Sequence, residues 1–428
     1  MLKQIAVSEL ELGMFVHKFE GSWFEHPFWK ARFLLDDAER LATIKASRIS
    51  AVVIDTERGR DIVPHPASAA AYEVPGAKPP AYDGPERRMR NLRRRVAVQV
   101  AADRRVSMED ELAAAATIAE KARDKLNNAF IAARLGRALD VRKVEPVVSD
   151  ILASVRRNPQ AFSGLMRCKL KNEQVFRHAL SVSALMVALA DRMKLPAADI
   201  HNCGLAGLLL DIGVNYLPHA VEPPGGDYRN LGEPVWQQHV VLGHRALVND
   251  GGLPQLVLDA CLYHHERIDG RGYPQQLAGD KIPLIARMAA ICDSFDFHLT
   301  GTDRSHALDP AAAIAAMRDE PGAYDPEILR LFIETVGLYP VGSFVVLASQ
   351  KVAMVIDEDR KDPLRPVVQA FYSLGSGERI LPHRITLAQG NDNERIMGIA
   401  DLTGLDLPED AQLRELVFLS TYRNAAQG

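Results

Sequence analysis

The sequence predicts a mainly helical protein with a small α+β domain at its N-terminus and a short β-rich extension at its C-terminus. Between residues 107 and 157 apolar side chains recur four apart, and residues 160–335 continue in a mainly helical pattern. By contrast, short β-like runs occur before residue 60 and after residue 342. The spacing of apolar residues changes from helical to strand-like at both ends of the central stretch, and this change predicts the fold class.

The first predicted domain spans residues 1–62. Short β-like runs at residues 13–16 and 51–54 flank a helical pattern from Asp36 to about Ser47, which is typical of a small α+β unit. The domain holds no cluster of catalytic residue types. We therefore expect an input or interaction role for it.

Residues 63–103 are predicted to be a linker. Six prolines lie between Val63 and Pro85, and proline lacks the backbone donor that helices and sheets need. Six arginines follow between Arg87 and Arg95. They are either a basic contact for an acidic partner, a membrane surface or nucleic acid, or a solvated linker end, and we favour the solvated linker end.

Residues 104–160 are predicted to form a pair of connector helices. The first carries one apolar face, at Ile118, Ala122, Leu126 and Phe130. The second runs from about Val144 to Val155. A homodimer through these helices and an intramolecular hairpin would give the same pattern, so both remain open.

The remaining chain divides into a helical domain, residues 161–340, and an extension, residues 341–428. Apolar blocks such as residues 182–190 and 205–210 mark buried helices in the first part. In the second part, β-branched and aromatic runs alternate with polar turns, which is consistent with a small antiparallel sheet. We expect this extension to pack on the helical domain.

Composition excludes several classes of protein. Lysine and arginine number 51 against 55 aspartates and glutamates, and this net charge of −4 argues against a dedicated DNA or RNA binder. The four cysteines form no C-x-x-C pair, so neither a zinc ribbon nor a disulfide framework is indicated. No stretch of about eighteen apolar residues occurs, and Glu9 and Glu11 interrupt any apolar leader. We expect a cytoplasmic protein without a membrane span.

A cluster of histidines and carboxylates carries the main chemical signal. Adjacent His264 and His265 cannot both point into one apolar core from a helix, so at least one needs a polar partner or a metal. Asp211 and Asp293 directly follow apolar runs, and a buried carboxylate needs a cation or several donors. With His178 and His239, these imidazoles and carboxylates predict a transition-metal site that activates water.

Residues 174–335 resemble an HD-GYP domain, the cyclic-di-GMP phosphodiesterase branch of the HD superfamily. The resemblance rests on the run HHERIDGRGYPQQLAGDKIPLIARMAAICDSFD, which holds the family's elements in order. The first sixty residues also resemble the small domain that often precedes HD-GYP domains. The resemblance implies a helical bundle that binds a cyclic dinucleotide and holds two or sometimes three metal ions, usually iron or manganese.

The resemblance also implies a role for each matching residue. His178 and Asp293 would hold one metal, His239, His264 and His265 a second, and catalytic Asp211 would bridge them. The residues expected to bind substrate are Asp269, Gly272, Tyr273, Pro274 and Arg304. In this family the GYP residues also dock partner proteins such as diguanylate cyclases.

Two positions depart from the family pattern. Leu210 and Val214 replace the histidine and the lysine of the family's H-D-x-x-K element. Since leucine has no lone pair, we expect an incomplete centre, with one ion rather than two. We favour a catalytically impaired binding or regulatory module in cyclic-di-GMP signalling. The alternatives are an active or weakly active phosphodiesterase producing linear dinucleotide or GMP, and an HD protein with a different phosphate-ester substrate.

Overall fold

The structure is a computed structural model that describes the following parts of the chain. These are residues 2–7, 10–20, 33–36, 38, 41, 44–45, 51–60, 105–134, 141–168, 174–217, 233–250, 252–301, 306–359, 362–390 and 394–422. The predicted linker at residues 63–103 and the predicted ligand Arg304 lie outside these ranges. The chain divides into two compact units, Met1–Ala81 and Tyr82–Gly428.

The smaller unit contains a four-stranded antiparallel sheet. Its strands are β1 (Leu2–Ala6), β2 (Phe15–Glu20), β3 (Phe33–Leu34) and β4 (Ala51–Asp55), in the order β1-β4-β2-β3. Alternate residues on each strand point to one face, so Ile5, Val16, Val52 and Ile54 meet in a buried core. Residues 38, 41, 44 and 45 are helical, and Ile44 joins this core. The sheet and the helical residues agree with the predicted α+β character.

The larger unit begins with three helices, α1 (Met108–Arg134), α2 (Glu145–Arg157) and α3 (Ala161–Cys168). Helices α1 and α2 pack against each other within the chain. Buried Glu111 of α1 joins them, because its carboxylate accepts hydrogen bonds from the Arg157 guanidinium at 2.6 and 2.8 Å and from the Ser154 hydroxyl at 2.7 Å. A buried carboxylate paired in this way is expensive to disrupt, since removing a partner leaves an uncompensated charge.

Within the described residues, the central bundle contains seven further helices that are longer than one turn. They are α4 (Gln174–Arg192), α5 (Ala197–Leu209), α6 (Gln238–Asp250), α7 (Gln255–Tyr263), α8 (Leu284–Thr300), α9 (Pro310–Arg318) and α10 (Pro326–Val336). Single turns at Ile212–Tyr216 and Glu233–Trp236 precede α6. Gly207 allows α4 and α5 to pack closely, because a Cβ at this position would lie 2.7 Å from the backbone of Ser183. Among the described helices, none has the length and the hydropathy needed to cross a bilayer.

The chain ends in a five-stranded antiparallel sheet and one helix. The elements are β5 (Phe344–Leu347), β6 (Lys351–Asp357), β7 (Val367–Ser373), β8 (Glu378–Thr386), β9 (Ile396–Ile399) and α11 (Asp410–Thr421), and the sheet order is β8-β7-β6-β5-β9. On β6, Val352 and Met354 join the core of the helical bundle, whereas Ala353 and Val355 form a second core with neighbouring strands. The mainly helical fold with a β-rich C-terminal extension is confirmed.

Candidate metal centre

His178 lies near the start of α4, with carboxylates facing both of its ring nitrogens. Its Nδ1 is 2.9 Å from Asp296 Oδ2 on α8. Its Nε2 is 3.1 Å from Asp293 Oδ1 and 3.3 Å from Asp211 Oδ2. The pair of α8 carboxylates is three residues apart on one helix face, so both reach the same imidazole.

Asp211 reaches the centre because the chain turns sharply after α5. The turn Ile212–Tyr216 runs against α6, and a Cβ at Gly213 would lie 1.8 Å from the His239 carbonyl oxygen. Gly243 faces Gly213 on the helix side, where a Cβ would lie 3.0 Å from the Gly213 nitrogen. This glycine contact brings Asp211 Oδ1 to 3.4 Å from His239 Nε2 and 3.5 Å from His264 Nε2.

His239 and His264 are held by backbone carbonyl groups. His239 Nδ1 is 2.6 Å from the Trp236 carbonyl oxygen, and His264 Nδ1 is 3.0 Å from that of Cys261. A carbonyl oxygen only accepts, so each Nδ1 carries the proton and donates it. The two Nε2 atoms then face each other at 3.4 Å. Only a cation shared between the rings, a proton or a metal ion, relieves the repulsion of their lone pairs.

His265 completes the cluster from the end of α7. Its ring stacks on the Tyr273 ring, with centroids 4.8 Å apart, and lies 5.1 Å from the His239 ring. Burial and the neighbouring imidazoles of His264 and His239 hold the pKa of His265 well below its usual range. A neutral imidazole is the form that ligates a metal.

The six predicted ligands therefore converge in two groups. One group is His178, Asp211 and Asp293, and the other is His239, His264 and His265. Within each group, one ligand atom of every residue lies within 4.8 Å of those of the others. Asp211 belongs to the first group and contacts two histidines of the second, so its carboxylate joins them.

The donor set fits a transition metal. His178 Nε2, Asp211 Oδ1 and His265 Nε2 are buried, and none of these atoms has a hydrogen-bond partner within the described ranges. Buried polar atoms are normally paired, so atoms that approach one another without hydrogen bonding indicate a common ligand. Imidazole and carboxylate donors without thiolate suit iron, manganese or zinc. Metal ligands would be His239, His264, His265, His178, Asp293 and bridging Asp211.

Asp211 controls the protonation of the centre. Burial opposes its charge, but His178, His239 and His264 outweigh burial and hold the Asp211 pKa well below its usual range. In turn, despite their own burial, the pKa of His178 is raised well above its usual range and that of His264 is raised, with Asp211 contributing to both. A metal ion would compete with protons for these nitrogens, because only the neutral imidazole ligates a metal.

The two departures from the family pattern lie in apolar surroundings. Leu210 is 1% exposed and belongs to the core of the helical bundle, while its carbonyl oxygen accepts the Cys261 thiol at 3.4 Å. Val214 packs in a small cluster with Leu217 and Trp236. Trp236 also packs on the His239 ring, with centroids 4.3 Å apart. Both replacements are accommodated as buried hydrocarbon.

Residues 266–279, which we call the GYP loop, begin directly after the paired histidines. The buried Glu266 carboxylate accepts hydrogen bonds from the backbone N–H groups of Gln275 at 2.7 Å and Leu277 at 2.9 Å. Gly272 leaves no room for a side chain, since a Cβ would lie 2.5 Å from the backbone of residues 265–267. The loop therefore folds back on its own start, and the following Tyr273 covers His265.

The predicted substrate-binding residues have different surroundings. Tyr273 stacks on His265, and the peptide bond between Tyr273 and Pro274 is cis. Asp269 instead binds within the loop, because its carboxylate accepts hydrogen bonds from Arg267 Nε at 3.2 Å and from the Arg271 backbone N–H at 3.0 Å. These contacts lower the pKa of Asp269, the Arg267 contact most of all.

Three residues that shape the site were not predicted individually from the sequence. Asp296 supports His178, and its spacing of three from Asp293 was a readable signal. The Trp236 carbonyl orients His239, and the Glu266 carboxylate shapes the GYP loop. Contacts with backbone groups cannot be predicted from residue types. Glu266, however, directly follows the histidine pair and could have been noted in the sequence.

Comparison with known proteins matches two domains and several relatives. Residues 2–144 match a domain of unknown function, DUF3391, and residues 159–328 match an HD domain. The chain is 36% identical over 399 residues to the cyclic di-GMP phosphodiesterase PA4108 of Pseudomonas aeruginosa, which covers 93% of this chain and 92% of that protein. It is 26% identical over 171 residues to a cyclic di-GMP phosphodiesterase of Thermotoga maritima, covering 40% of this chain and 46% of that one.

One solved structure resembles this chain, and the Pseudomonas protein matches it over most of its length. Bd1817, a HDG"Y"P protein from Bdellovibrio bacteriovorus, is 17% identical with a TM-score of 0.46, covering 78% of this chain and 99% of that chain, a likeness too distant to inform the site. The match to the Pseudomonas protein instead extends over nearly all of both chains. The chain therefore belongs to the HD-GYP family of cyclic di-GMP phosphodiesterases, with its HD domain preceded by a domain of unknown function.

Proposed function

We propose that this protein binds cyclic di-GMP at the metal centre and the GYP loop, and acts as a regulatory module with impaired hydrolysis. The observation that carries the proposal is Leu210, a buried hydrocarbon side chain directly before Asp211, where the family pattern has a metal-binding histidine. Loss of a ligand weakens one side of the centre and leaves the other complete. Even loss of a residue that only supports a ligand costs about 10- to 100-fold in metal affinity or activity.

The complete side of the centre is the stronger metal site. His239, His264 and His265 supply three imidazoles, and Asp211 adds a carboxylate beside them. The other side keeps His178, Asp293 and the shared Asp211. We therefore assign one tightly held divalent ion, iron or manganese, to the three-histidine side.

The metal ion and the predicted site residues would have different roles in binding and chemistry. A divalent ion in this centre would polarise a phosphoryl oxygen and lower the pKa of water. Asp211 is the residue that would act catalytically, because its carboxylate touches both ligand groups. Asp269, Gly272, Tyr273, Pro274 and Arg304 would form the dinucleotide site. Val214 offers no positive charge to a phosphate, which removes a group that would stabilise the transition state.

A Leu210→His variant tests the proposal directly. The parent is expected to hold about one metal per chain after anaerobic purification, bind cyclic di-GMP and release little product. The variant supplies the missing imidazole and is expected to hold a second metal and gain turnover. Leu210→Phe is the matched control, because it adds a ring of similar size without a lone pair. Two metals and steady turnover in the parent would contradict impairment.

Active hydrolysis is the second candidate function. It is supported by the convergence of all six retained ligands and by the similarity to the Pseudomonas phosphodiesterase. Three protein ligands per ion are sufficient in many catalytic metal sites. Under this candidate, the parent converts cyclic di-GMP to the linear dinucleotide or GMP, and Leu210→His changes its rate little.

The proposal also covers the domain boundaries, the location and the partners of the protein. We assign five parts to the chain, residues 1–62, 63–103, 104–160, 161–340 and 341–428, and a cytoplasmic location in which the four buried thiols stay reduced. A diguanylate cyclase or another protein would dock at the GYP loop. Light scattering of the purified chain tests whether the connector helices also form a homodimer.

A further inference from the structure

The turn between α9 and α10 holds the start of the GYP loop. We call residues 319–325 the clasp turn. The Ile268 N–H donates a hydrogen bond to the Ala323 carbonyl at 3.3 Å, and the Asp269 N–H donates to the Gly322 carbonyl at 2.9 Å. The Arg267 guanidinium also pairs with Glu320. Three successive residues of the GYP loop are therefore fixed by a segment about fifty residues farther along the chain.

The same turn is attached to the helix that carries metal ligands. Tyr324 is hydrogen-bonded through its side chain to Ser294, the residue after Asp293 on α8. The Asp325 carboxylate accepts a hydrogen bond from Arg287 Nη1 of α8 at 2.7 Å and caps the start of α10. The clasp turn thus contacts the GYP loop on one side and α8 on the other.

Gly322 lies at a close approach between the clasp turn and the GYP loop. Its φ of +76° lies in the region that side chains disfavour. A Cβ at this position would lie 2.9 Å from Asp269 Cβ and 3.1 Å from Asp269 Oδ2. A side chain at residue 322 would therefore force Asp269 of the GYP loop apart from the clasp turn.

We infer that the clasp turn sets the position of the GYP loop relative to α8, and that Gly322 is a positioning residue for binding of the cyclic dinucleotide. This inference rests on the proposed function of the loop. Gly322 itself touches the loop at Asp269, so its effect on the ligand passes through that residue. His178 on α4, Asp211 after α5 and His239 on α6 lie outside the GYP loop, so displacement of the loop should leave them in place.

A Gly322→Ala variant tests this inference in the full chain. The matched control is Gly404→Ala, because Gly404 has a similar φ of +79° but no atom within 4 Å of its Cβ position. Gly322→Ala is expected to speed hydrogen exchange at the Ile268 and Asp269 amides about ten-fold or more. It should also weaken cyclic di-GMP binding about ten-fold with unchanged metal content, and saturating cyclic di-GMP should restore protection of the amides. The control should change none of these.

The readouts separate the two proposals. If the parent does not bind cyclic di-GMP, the proposed function fails, while exchange at Ile268 and Asp269 still tests the clasp. If Gly322→Ala exchanges and binds as the parent does, the inference is overturned. If metal content falls together with affinity, Gly322 acts on the whole fold and the positioning role is also overturned. Should Gly322→Ala not fold, Glu320→Gln replaces it, with a smaller effect in the same direction expected and no effect counting against the clasp.

Discussion

At the scale of single residues, the centre depends on how each imidazole is oriented. Asp296 is 3% exposed and accepts from His178 Nδ1, which leaves Nε2 directed at Asp211 and Asp293. Carbonyl groups do the same for His239 and His264. Orientation by a second residue fixes the tautomer and raises the basicity of the ligand.

The first prediction concerns Asp296. Asp296→Asn keeps the size of the side chain but removes the charge that orients His178, so metal affinity should fall about 10- to 100-fold. Titration of the metal-free protein with manganese or iron measures the change. Asp280→Asn is the control, because this carboxylate is fully exposed and removal of its weak contact with Arg287 should leave affinity unchanged. Equal affinity in both variants would show that Asp296 does not support His178.

At the scale of secondary-structure elements, buried polar contacts fasten the C-terminal extension to the helical bundle. Asp309 caps α9 by accepting from the Ala311 N–H at 2.9 Å. Its other oxygen accepts from the Phe344 N–H of β5 at 2.8 Å, and Arg414 of α11 lies 3.6 Å away. One carboxylate therefore contacts three elements that are distant in sequence.

The second prediction concerns this contact. Asp309→Ala removes a helix cap and leaves the Phe344 N–H without its acceptor, so the free energy of unfolding should fall by about 2–3 kcal/mol. Urea unfolding followed by circular dichroism measures the loss. Asp401→Ala is a suitable control, since the contacts of Asp401 with Thr403, including the N–H donated at 2.9 Å, lie within one exposed turn. A loss no larger than that of the control would contradict the role of Asp309.

At the scale of the whole molecule, sequence patterns predicted the fold class and singled out six side chains that converge in the structure, but not the contacts that position them. The spacing of apolar residues that marks helices and strands can be recognised within a short stretch of sequence. The residue types of His239 and Asp293 indicate metal chemistry directly. The attachment of the GYP loop to Gly322 joins backbone groups about fifty residues apart. Such pairing depends on tertiary geometry, so no local pattern could have predicted it.

The third prediction concerns the extension as a whole. Val352, Met354 and Phe371 of the sheet belong to the same apolar core as the helices. A chain ending at residue 340 would expose that core, so it should be insoluble or bind a hydrophobic dye, with loss of near-ultraviolet circular dichroism. Leu381→Ser, at a side chain of β8 that is 88% exposed, is the control and should leave the spectrum unchanged. A soluble, well-packed fragment would contradict a shared core.

The shared core also limits how this protein can be rearranged. Strand β6 contributes side chains to the core of the helical bundle. The HD domain therefore cannot be truncated before β6 without exposing that core. A transplanted domain would therefore have to extend through Tyr422, because a fusion joined at residue 340 would leave this apolar core exposed. The boundary that a family match places at residue 328 is therefore a limit of sequence similarity, and the physical unit extends almost a hundred residues farther.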